Sequence, residues 1–498
     1  MNETHTSAIL RLESDICSKT AYNSNEQREL FVSVNPDLKT DFGHYLNYEK
    51  RLAEACVCLG LDYVGLASRE LVIEHPGVKP AFERDSGYYS MLRQSAIGHE
   101  EAIAREFRQT LLAELKPLIA SKRWPRVHVI MYCGSSRLAL RLAELDWPEN
   151  MQLCINAFWD FVEDESDPPE LSRLRFQRVV HLLAMSELHA DSWHAATGLR
   201  FDWIPNPPPL LSDVQTYASI RRQFGATRDR DRLRVLVPGL MTVGKGRETT
   251  GALLEYLRLN GTLGRDYVFR DRKRELTVLA SDPVQVLTGD FSDEQIIELY
   301  RSSDVILLPY EAPTFTVRTS GALVDALVFG AVPLVLEGTW LAYQCRQFGV
   351  GRVLPDAQPA TVVTALAEIE AELEAERRRV SRAAALYFTR NSWSELVRRI
   401  VRSEEASAQP VSSDSAEPTE ATLFAAANRM LRLGRHAEAA QLYTWLLETL
   451  PLAIYQSNLQ LCTELCGRTV DEFLATPHKR TARRSSDIPS QCDYHLPK

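Results

Sequence analysis

Short apolar runs alternate with amphipathic helical segments along most of the chain, and this alternation predicts its fold. A run such as Val305 to Leu308 suits a parallel strand buried on both faces. The segment after it has Leu323, Ala326 and Leu327 at helical spacing, and it ends at a glycine. Repeated β–α alternation indicates an α/β protein with doubly wound parallel sheets. The predicted strands are 30–34, 63–66, 127–132, 153–157, 179–185, 201–204, 233–237, 276–280, 305–308, 332–336 and 353–354.

Two further segments lead to specific expectations. Residues 74–94 contain two prolines, two glycines and a pair of tyrosines, and the composition predicts one long loop. Residues 361–388 are charged and free of proline and glycine, which predicts one long helix.

A proline cluster divides the α/β part of the chain into two Rossmann-like domains that face a cleft. Consecutive prolines at 207–209 force extended backbone and mark the boundary. The predicted organisation is a flexible N-terminus (1–28), a first Rossmann-like domain (29–207) and a second Rossmann-like domain (208–402). A Ser/Ala/Pro/Glu-rich linker (403–420), a small all-α extension (421–470) and a disordered tail (471–498) follow.

Composition and charge narrow the classes of partner. The 498-residue chain is 45% hydrophobic and has a net charge of −9, which disfavours general nucleic-acid binding. No apolar run is long enough to form a transmembrane segment. The nine cysteines lack ligand-like spacing, so we expect reduced thiols and no metal site. The expected location is the cytoplasm, in solution or peripherally at the inner face of a membrane.

The first candidate site lies where the helix after strand 305–308 begins. Unpaired N–H groups at a helix start favour an anion, and Thr319, Ser320 and Gly321 occupy that start. Ser320 adds a hydroxyl donor, while Gly321 would let a ligand approach the backbone. Asp325, one turn later, could reach the vicinal hydroxyls of a ribose. The alternative is an ordinary β–α–β unit in which Thr319 or Ser320 only caps the helix.

The second candidate is a glycine-flanked lysine. Lys245 follows strand 233–237 on a turn that contains Gly239 and Gly246 and precedes a helix. A lysine in that position can neutralise the charge of a diphosphate. The spacing alone is a weak signal, because such turns are common on protein surfaces.

Together these motifs resemble the donor half of GT-B glycosyltransferases, especially the family-four retaining enzymes. The resemblance rests on Asp304-Val305, Pro309, Asp325-Ala326-Leu327, Gly330 and Pro333-Leu334-Val335, and on Gly239, Lys245 and Gly246. It implies that Lys245 binds the donor diphosphate and is catalytic. Leu240 stands where the family has an arginine, and Arg247 or Arg318 is the proposed replacement. Val317 stands where the first of two glutamates is expected, and Asp325 takes the place of the second.

The first domain offers weaker candidates on the acceptor side. Gly43 and His44 follow the first strand, where open α/β sheets bind ligands. Asp160 follows the strand at 153–157. His44 and Asp160 are the candidate catalytic acid–base residues. The alternatives are a surface or capping histidine and a turn aspartate.

The expected function is therefore transfer of a sugar from a nucleotide-diphosphate donor to a glycan, lipid-linked or protein acceptor, with retention and without a metal or other cofactor. A GT-B-fold sugar-nucleotide epimerase and a degenerate transferase acting as a scaffold are the alternatives. Residues 421–470 resemble a tetratricopeptide repeat, with Leu-Gly-Arg at 433–435 and Tyr443, which implies a protein partner. A plain helical hairpin is the other interpretation of that segment.

Overall fold

The computed structural model describes residues 28–40, 45–91, 98–121, 124–160, 171, 174, 179–223, 232–238, 244–272, 274–407, 440 and 443. The chain divides into two compact units, Met1–Asp414 and Ser415–Lys498. Of the second unit only Ala440 and Tyr443 are described, so the predicted tetratricopeptide-like helices, tail and most of the linker lie outside the described residues. The predicted N-terminal segment also lies outside them, apart from Arg28.

The first half of the α/β unit is one parallel sheet with helices packed on it. Its strand order, β3-β2-β1-β4-β5-β6, is that of a Rossmann sheet. The strands are β1 (Leu30–Asn35), β2 (Asp62–Ser68), β3 (Val78–Phe82), β4 (Val127–Met131), β5 (Met151–Asn156) and β6 (Val180–Leu183). The helices are α1 (Tyr45–Cys58), α2 (Ser86–Tyr89), α3 (Glu100–Ser121), α4 (Ser136–Ala143) and α5 (Glu187–Thr197).

The second half repeats this arrangement. Its sheet has the order β12-β11-β10-β7-β8-β9, again with all strands parallel. The strands are β7 (Arg234–Val237), β8 (Asp266–Arg270), β9 (Gln285–Leu287), β10 (Val305–Leu308), β11 (Val332–Leu336) and β12 (Arg352–Leu354). The helices are α6 (Asp213–Gln223), α7 (Arg247–Asn260), α8 (Asp293–Arg301), α9 (Ala312–Phe315), α10 (Gly321–Phe329), α11 (Trp340–Phe348), α12 (Pro359–Ala371), α13 (Leu373–Arg390) and α14 (Trp393–Ser407).

Hydrophobic burial explains why the apolar runs became central strands. All four residues of β10 are fully buried, and β1 and β4 are buried along their whole length. Central parallel strands are covered by helices on both faces, so they tolerate no solvent-facing side chain. The expectation of two parallel α/β sheets is confirmed.

Four local predictions were wrong. The loop expected at 74–94 contains β3 and α2, because Val78 to Phe82 pairs with β2 as an edge strand despite Pro80. Residues 201–204 form a single bridge, Ala184 to Trp203, and not a strand. The strand expected at 276–280 is exposed backbone outside the sheet, and β8 takes its place. The helix expected at 361–388 is broken at Glu372, where φ is −118° and ψ is 18°.

The chain crosses between the two halves twice. It first crosses at the proline cluster, and it returns where α13 meets α14. The two crossings are bonded to each other, because Tyr387 Oη donates to the Asn206 carbonyl (2.9 Å) and Trp393 Nε1 donates to the Pro208 carbonyl (3.1 Å). Helix α14 then packs on α1 of the first half through Leu396 and neighbouring apolar residues.

Asp213 holds the start of α14 at this junction. Its carboxylate accepts from Trp393 N (2.8 Å) and from Ser394 N (2.9 Å) and Oγ (2.6 Å). Replacing Asp213 by alanine leaves those amides without their acceptor. We expect the free energy of unfolding to fall by about 2 kcal/mol in urea denaturation. Asp213→Asn keeps one acceptor and should lose less; equal stability of the alanine variant and the wild type would contradict this role.

Candidate functional site

The candidate site lies where the loops after β7 and β10 meet. These two neighbouring strands are the point at which the strand order of the second sheet reverses, and open α/β sheets bind ligands beyond the carboxyl ends of such strands. The turn after β7 contains Lys245, and the loop after β10 contains Tyr310. A backbone hydrogen bond from Glu311 N to the Gly244 carbonyl (3.0 Å) joins the two loops.

Glycines allow this close approach. Gly246 has φ +77°, and an added Cβ would lie 2.8 Å from Pro309 Cβ and nearer still to the Pro309 carbonyl oxygen. Gly244 has φ +79° and lies against Thr314. Both positions require glycine, because the backbone is left-handed there and no room exists for a side chain. The turn is thereby pressed against the end of β10, and Lys245 is directed toward Tyr310.

Lys245, Arg270 and Arg318 all act on Tyr310, and we call these three cations the Tyr310 cluster. Lys245 Nζ lies 5.9 Å from the ring centroid. The charges of Arg270 and Arg318 both lower the pKa of the Tyr310 hydroxyl, although burial raises that pKa to about 12. In the part of the chain that the structure describes, no carboxylate pairs with Lys245. Because no carboxylate neutralises Lys245 and further cations lie near it, the site favours an anionic ligand.

Burial also tunes Lys245 itself. Removal from water, and then the charge of Arg318, lowers the pKa of Lys245 to about 8. At neutral pH, Lys245 is therefore mostly an ammonium but is close to its pKa. A bound anion would stabilise the ammonium form.

Arg318 lies between the two halves. Its guanidinium carbon is 5.3 Å from the ring centroid of Phe315 and 5.7 Å from that of Phe158, which belongs to the first half. Burial lowers the pKa of Arg318. The residue therefore places a positive charge between the two halves.

The start of α10 adds backbone donors beside the cluster. Ser320 caps the helix by accepting from Leu323 N, and it lies near enough to Tyr310 to oppose the rise that burial causes in the pKa of the Tyr310 hydroxyl. Thr319 precedes it and is half-buried. Gly321 is the first helical residue, and an added Cβ would lie 3.0 Å from Pro209 Cγ. The small size of Gly321 is thus explained by packing against the proline cluster, and its amide remains one of the helix-start donors.

Asp325 lies one turn into α10 and is almost completely buried. Its Oδ1 has no hydrogen-bond partner among the described residues. Burial, and then the charge of Asp293, raises its pKa well above the ordinary value. Asp293 itself accepts from Asn47 Nδ2 of the first half (2.7 Å). A protonated carboxyl at Asp325 can both donate to and accept from a ligand hydroxyl.

The remaining donor-side predictions fall differently. Arg247 is half-exposed and pairs with Glu275 (3.2 Å), so the structure brings Arg318, and not Arg247, next to Lys245. Gly239 lies outside the described residues. Arg270 was missed, because β8 was not predicted and its last residue was therefore not recognised as a strand end.

On the acceptor side, the structure places one of the three predicted residues. Both oxygens of Asp160 accept from Ser136 N at 3.1 Å, so its carboxylate lies at the start of α4. The Asp160 carboxylate thus provides an acceptor for an N–H group at the helix start. This is the structural role that the turn-aspartate alternative describes. Gly43 and His44 lie outside the described residues.

Further contacts close the space between the halves. Ser186 Oγ donates to the Val317 carbonyl (2.6 Å), and Trp340 Nε1 donates to Glu187 Oε2 (3.2 Å). Burial raises the pKa of Glu187.

None of the helices in the described part of the chain has the length and apolar character that a membrane crossing requires.

Comparison with solved structures identifies the fold. A sucrose-phosphate synthase from Thermosynechococcus elongatus matches with a TM-score of 0.50 and 13% identity, covering 76% of this chain and 99% of that one. A UDP-forming trehalose-phosphate synthase from Burkholderia xenovorans matches at 0.52 and 14%, covering 77% and 100%. One from Burkholderia multivorans matches at 0.50 and 13%, covering 77% and 97%. The chain therefore shares the two-domain GT-B fold of these glycosyltransferases. Neither the protein-family models nor the curated proteins contain a match to the sequence.

Proposed function

We propose that the protein is a glycosyltransferase that takes a sugar from a nucleotide-diphosphate donor. The observation that carries this proposal is the Tyr310 cluster beside the start of α10. Lys245, Arg318 and the helix-start amides would offer a diphosphate two positive charges and backbone hydrogen-bond donors. The names of the solved neighbours, among them a UDP-forming synthase, support the same donor class.

The same residues support a mechanism. The bond between the anomeric carbon and the diphosphate breaks, the bond to the acceptor oxygen forms, and negative charge develops on the leaving diphosphate. Lys245 and the amides at Ser320 and Gly321 lie where they would stabilise that charge. Arg318 supplies the second cation, as the resemblance to family-four enzymes requires in the absence of the usual arginine.

Asp325 completes the proposed donor site. A buried carboxyl with an unpartnered oxygen is energetically costly, and ribose hydroxyls would satisfy it. Retention of anomeric configuration and independence of metal follow from the family-four resemblance. In that case the leaving diphosphate accepts the proton of the acceptor hydroxyl, since Asp160 is engaged by an amide.

The deciding experiment offers the purified protein UDP-, GDP-, dTDP- and ADP-sugars and measures binding and nucleotide release. Saturable binding or release with one donor would support the proposal. An epimerised sugar nucleotide would favour the epimerase alternative. Absence of binding to every donor would contradict the proposal and favour the scaffold alternative, with residues 421–470 as the next part of the chain to test.

The pH dependence of donor binding is a further prediction. The Lys245 ammonium attracts the diphosphate, so its contribution is complete below the free-state pKa of about 8 and is lost as pH rises through it. We expect donor affinity to fall by up to tenfold for each pH unit above that value, until the pKa of the complex is reached. Calorimetric titration from pH 6.5 to 9.5 measures this. A flat profile in the wild type would contradict direct contact between Lys245 and the phosphates.

A further inference from the structure

Arg270 is the member of the Tyr310 cluster that the diphosphate does not require. It is the last residue of β8, and its guanidinium carbon lies 5.4 Å from the ring centroid of Phe291. Its Nε is buried and has no acceptor among the described residues. The neighbouring carboxylate of Asp290 accepts from Arg272 Nε (2.5 Å). Arg270 is therefore a half-buried donor group without an acceptor for Nε.

The order of the strands fixes which part of a donor would reach Arg270. The phosphate site lies at the β7–β10 boundary, whereas β8 and β9 lie on the other side of β7, away from β10. A donor bound through its diphosphate at Lys245 would thus extend its nucleoside toward Arg270.

Asp325, the proposed ribose ligand, lies near enough to the start of α8 to interact electrostatically with a carboxylate there. Its carboxyl is influenced by Asp293, the first residue of α8. Asp293 follows Phe291 by two residues in the chain. A ribose at Asp325 would therefore place the attached base close to Phe291 and to the guanidinium that stacks on it.

We propose that Arg270 reads the edge of the donor nucleobase and selects a base with a carbonyl oxygen where adenine and cytosine have an amino group, namely uracil, thymine or guanine. This inference rests on the proposed nucleotide-sugar function. A guanidinium donates hydrogen bonds and accepts none, so the base edge that it faces must supply acceptors. Uracil, thymine and guanine present carbonyl oxygens, whereas adenine presents an amino group at the corresponding position.

The test compares binding of UDP-, dTDP-, GDP- and ADP-glucose, with inorganic pyrophosphate as a probe of the phosphate site alone. The wild type should bind one of the carbonyl-bearing nucleotides at least about tenfold more tightly than ADP-glucose. Arg270→Gln offers both a donor and an acceptor, so the preference should shrink to a few-fold. Pyrophosphate affinity should not change. Arg270→Lys keeps a donor and should retain the preference. Arg232→Gln removes an exposed arginine before β7 and is the matched control.

Each other result is decisive. If Arg270→Gln lowers pyrophosphate affinity as much as nucleotide affinity, Arg270 is a phosphate ligand and the inference is overturned. An unchanged base preference in Arg270→Gln, or a wild-type preference for ADP-glucose, also overturns it while leaving the proposed function intact. A wild type that binds no nucleotide contradicts the proposed function and, with it, the inference.

Discussion

Replacing Lys245 by alanine should lower kcat/KM for nucleotide release from the donor by about 10²- to 10³-fold. In the proposed mechanism, the ammonium of Lys245 stabilises the charge that develops on the leaving diphosphate. Two unit charges about 4 Å apart interact by about 4 kcal/mol at the effective dielectric constant of a partly buried site. Burial also removes competing water from Lys245, as the lowering of its pKa to about 8 indicates.

Two variants make the Lys245 result specific. Lys245→Arg keeps the charge and should retain part of the activity, and its pH profile should lose the fall above pH 8. Lys116→Ala removes an exposed lysine of α3 and should match the wild type. Wild-type kcat/KM in Lys245→Ala would show that the anion site is not the donor site.

Replacing Gly246 by alanine should reduce both stability and donor binding. The position has φ +77°, and its new Cβ would overlap Pro309 at the end of β10, where the carbonyl oxygen is backbone that cannot move aside. Strain at a left-handed residue and overpacking of a buried contact together cost about 3 kcal/mol or more. Because the turn would have to leave β10, Lys245 would also lose its place over Tyr310.

Gly251→Ala is the matched control for Gly246→Ala. Gly251 lies in α7, five residues further on, and an added Cβ would meet no atom within 4 Å. Alanine in a helix interior is favoured by about 0.5–1 kcal/mol over glycine, so this variant should be slightly more stable than the wild type. Urea denaturation and calorimetric donor binding measure both effects. Similar stability of the two variants would contradict the proposed close packing of the Gly246 turn against Pro309.

The central strands were predictable because their residues are buried on both faces. Errors arose away from these central strands, where apolar content is a poorer guide. The segment 276–280 is apolar in sequence, yet Val278 and Leu279 are 43% and 52% exposed. Strand β8 was missed because polar residues flank its three apolar positions. The break at Glu372 has no proline or glycine, so local sequence gave no signal for it.

The candidate site was predictable where it depends on local geometry. Ser320 caps α10, and Lys245 lies on a glycine-bound turn, as their neighbours in sequence indicated. The approach of Arg270, at the end of β8, to the loop that holds Tyr310 and Arg318 depends on tertiary packing of two separate segments, which spacing along the chain does not reveal. The pairing of Arg247 with Glu275 is likewise a tertiary contact.

The double crossing between the halves limits how the site can open. A single connection would leave the relative orientation and position of the two halves largely unconstrained. Here the proline cluster and the α13–α14 junction run side by side and are bonded through Asn206, Tyr387 and Trp393. Two bonded connections restrict sliding and independent rotation of the halves, so we expect the halves to open by a hinge motion at the crossing. Such an opening would separate Ser186 from Val317 and Phe158 from Arg318. Under the proposed function, the donor and the acceptor would therefore gain access in the same movement.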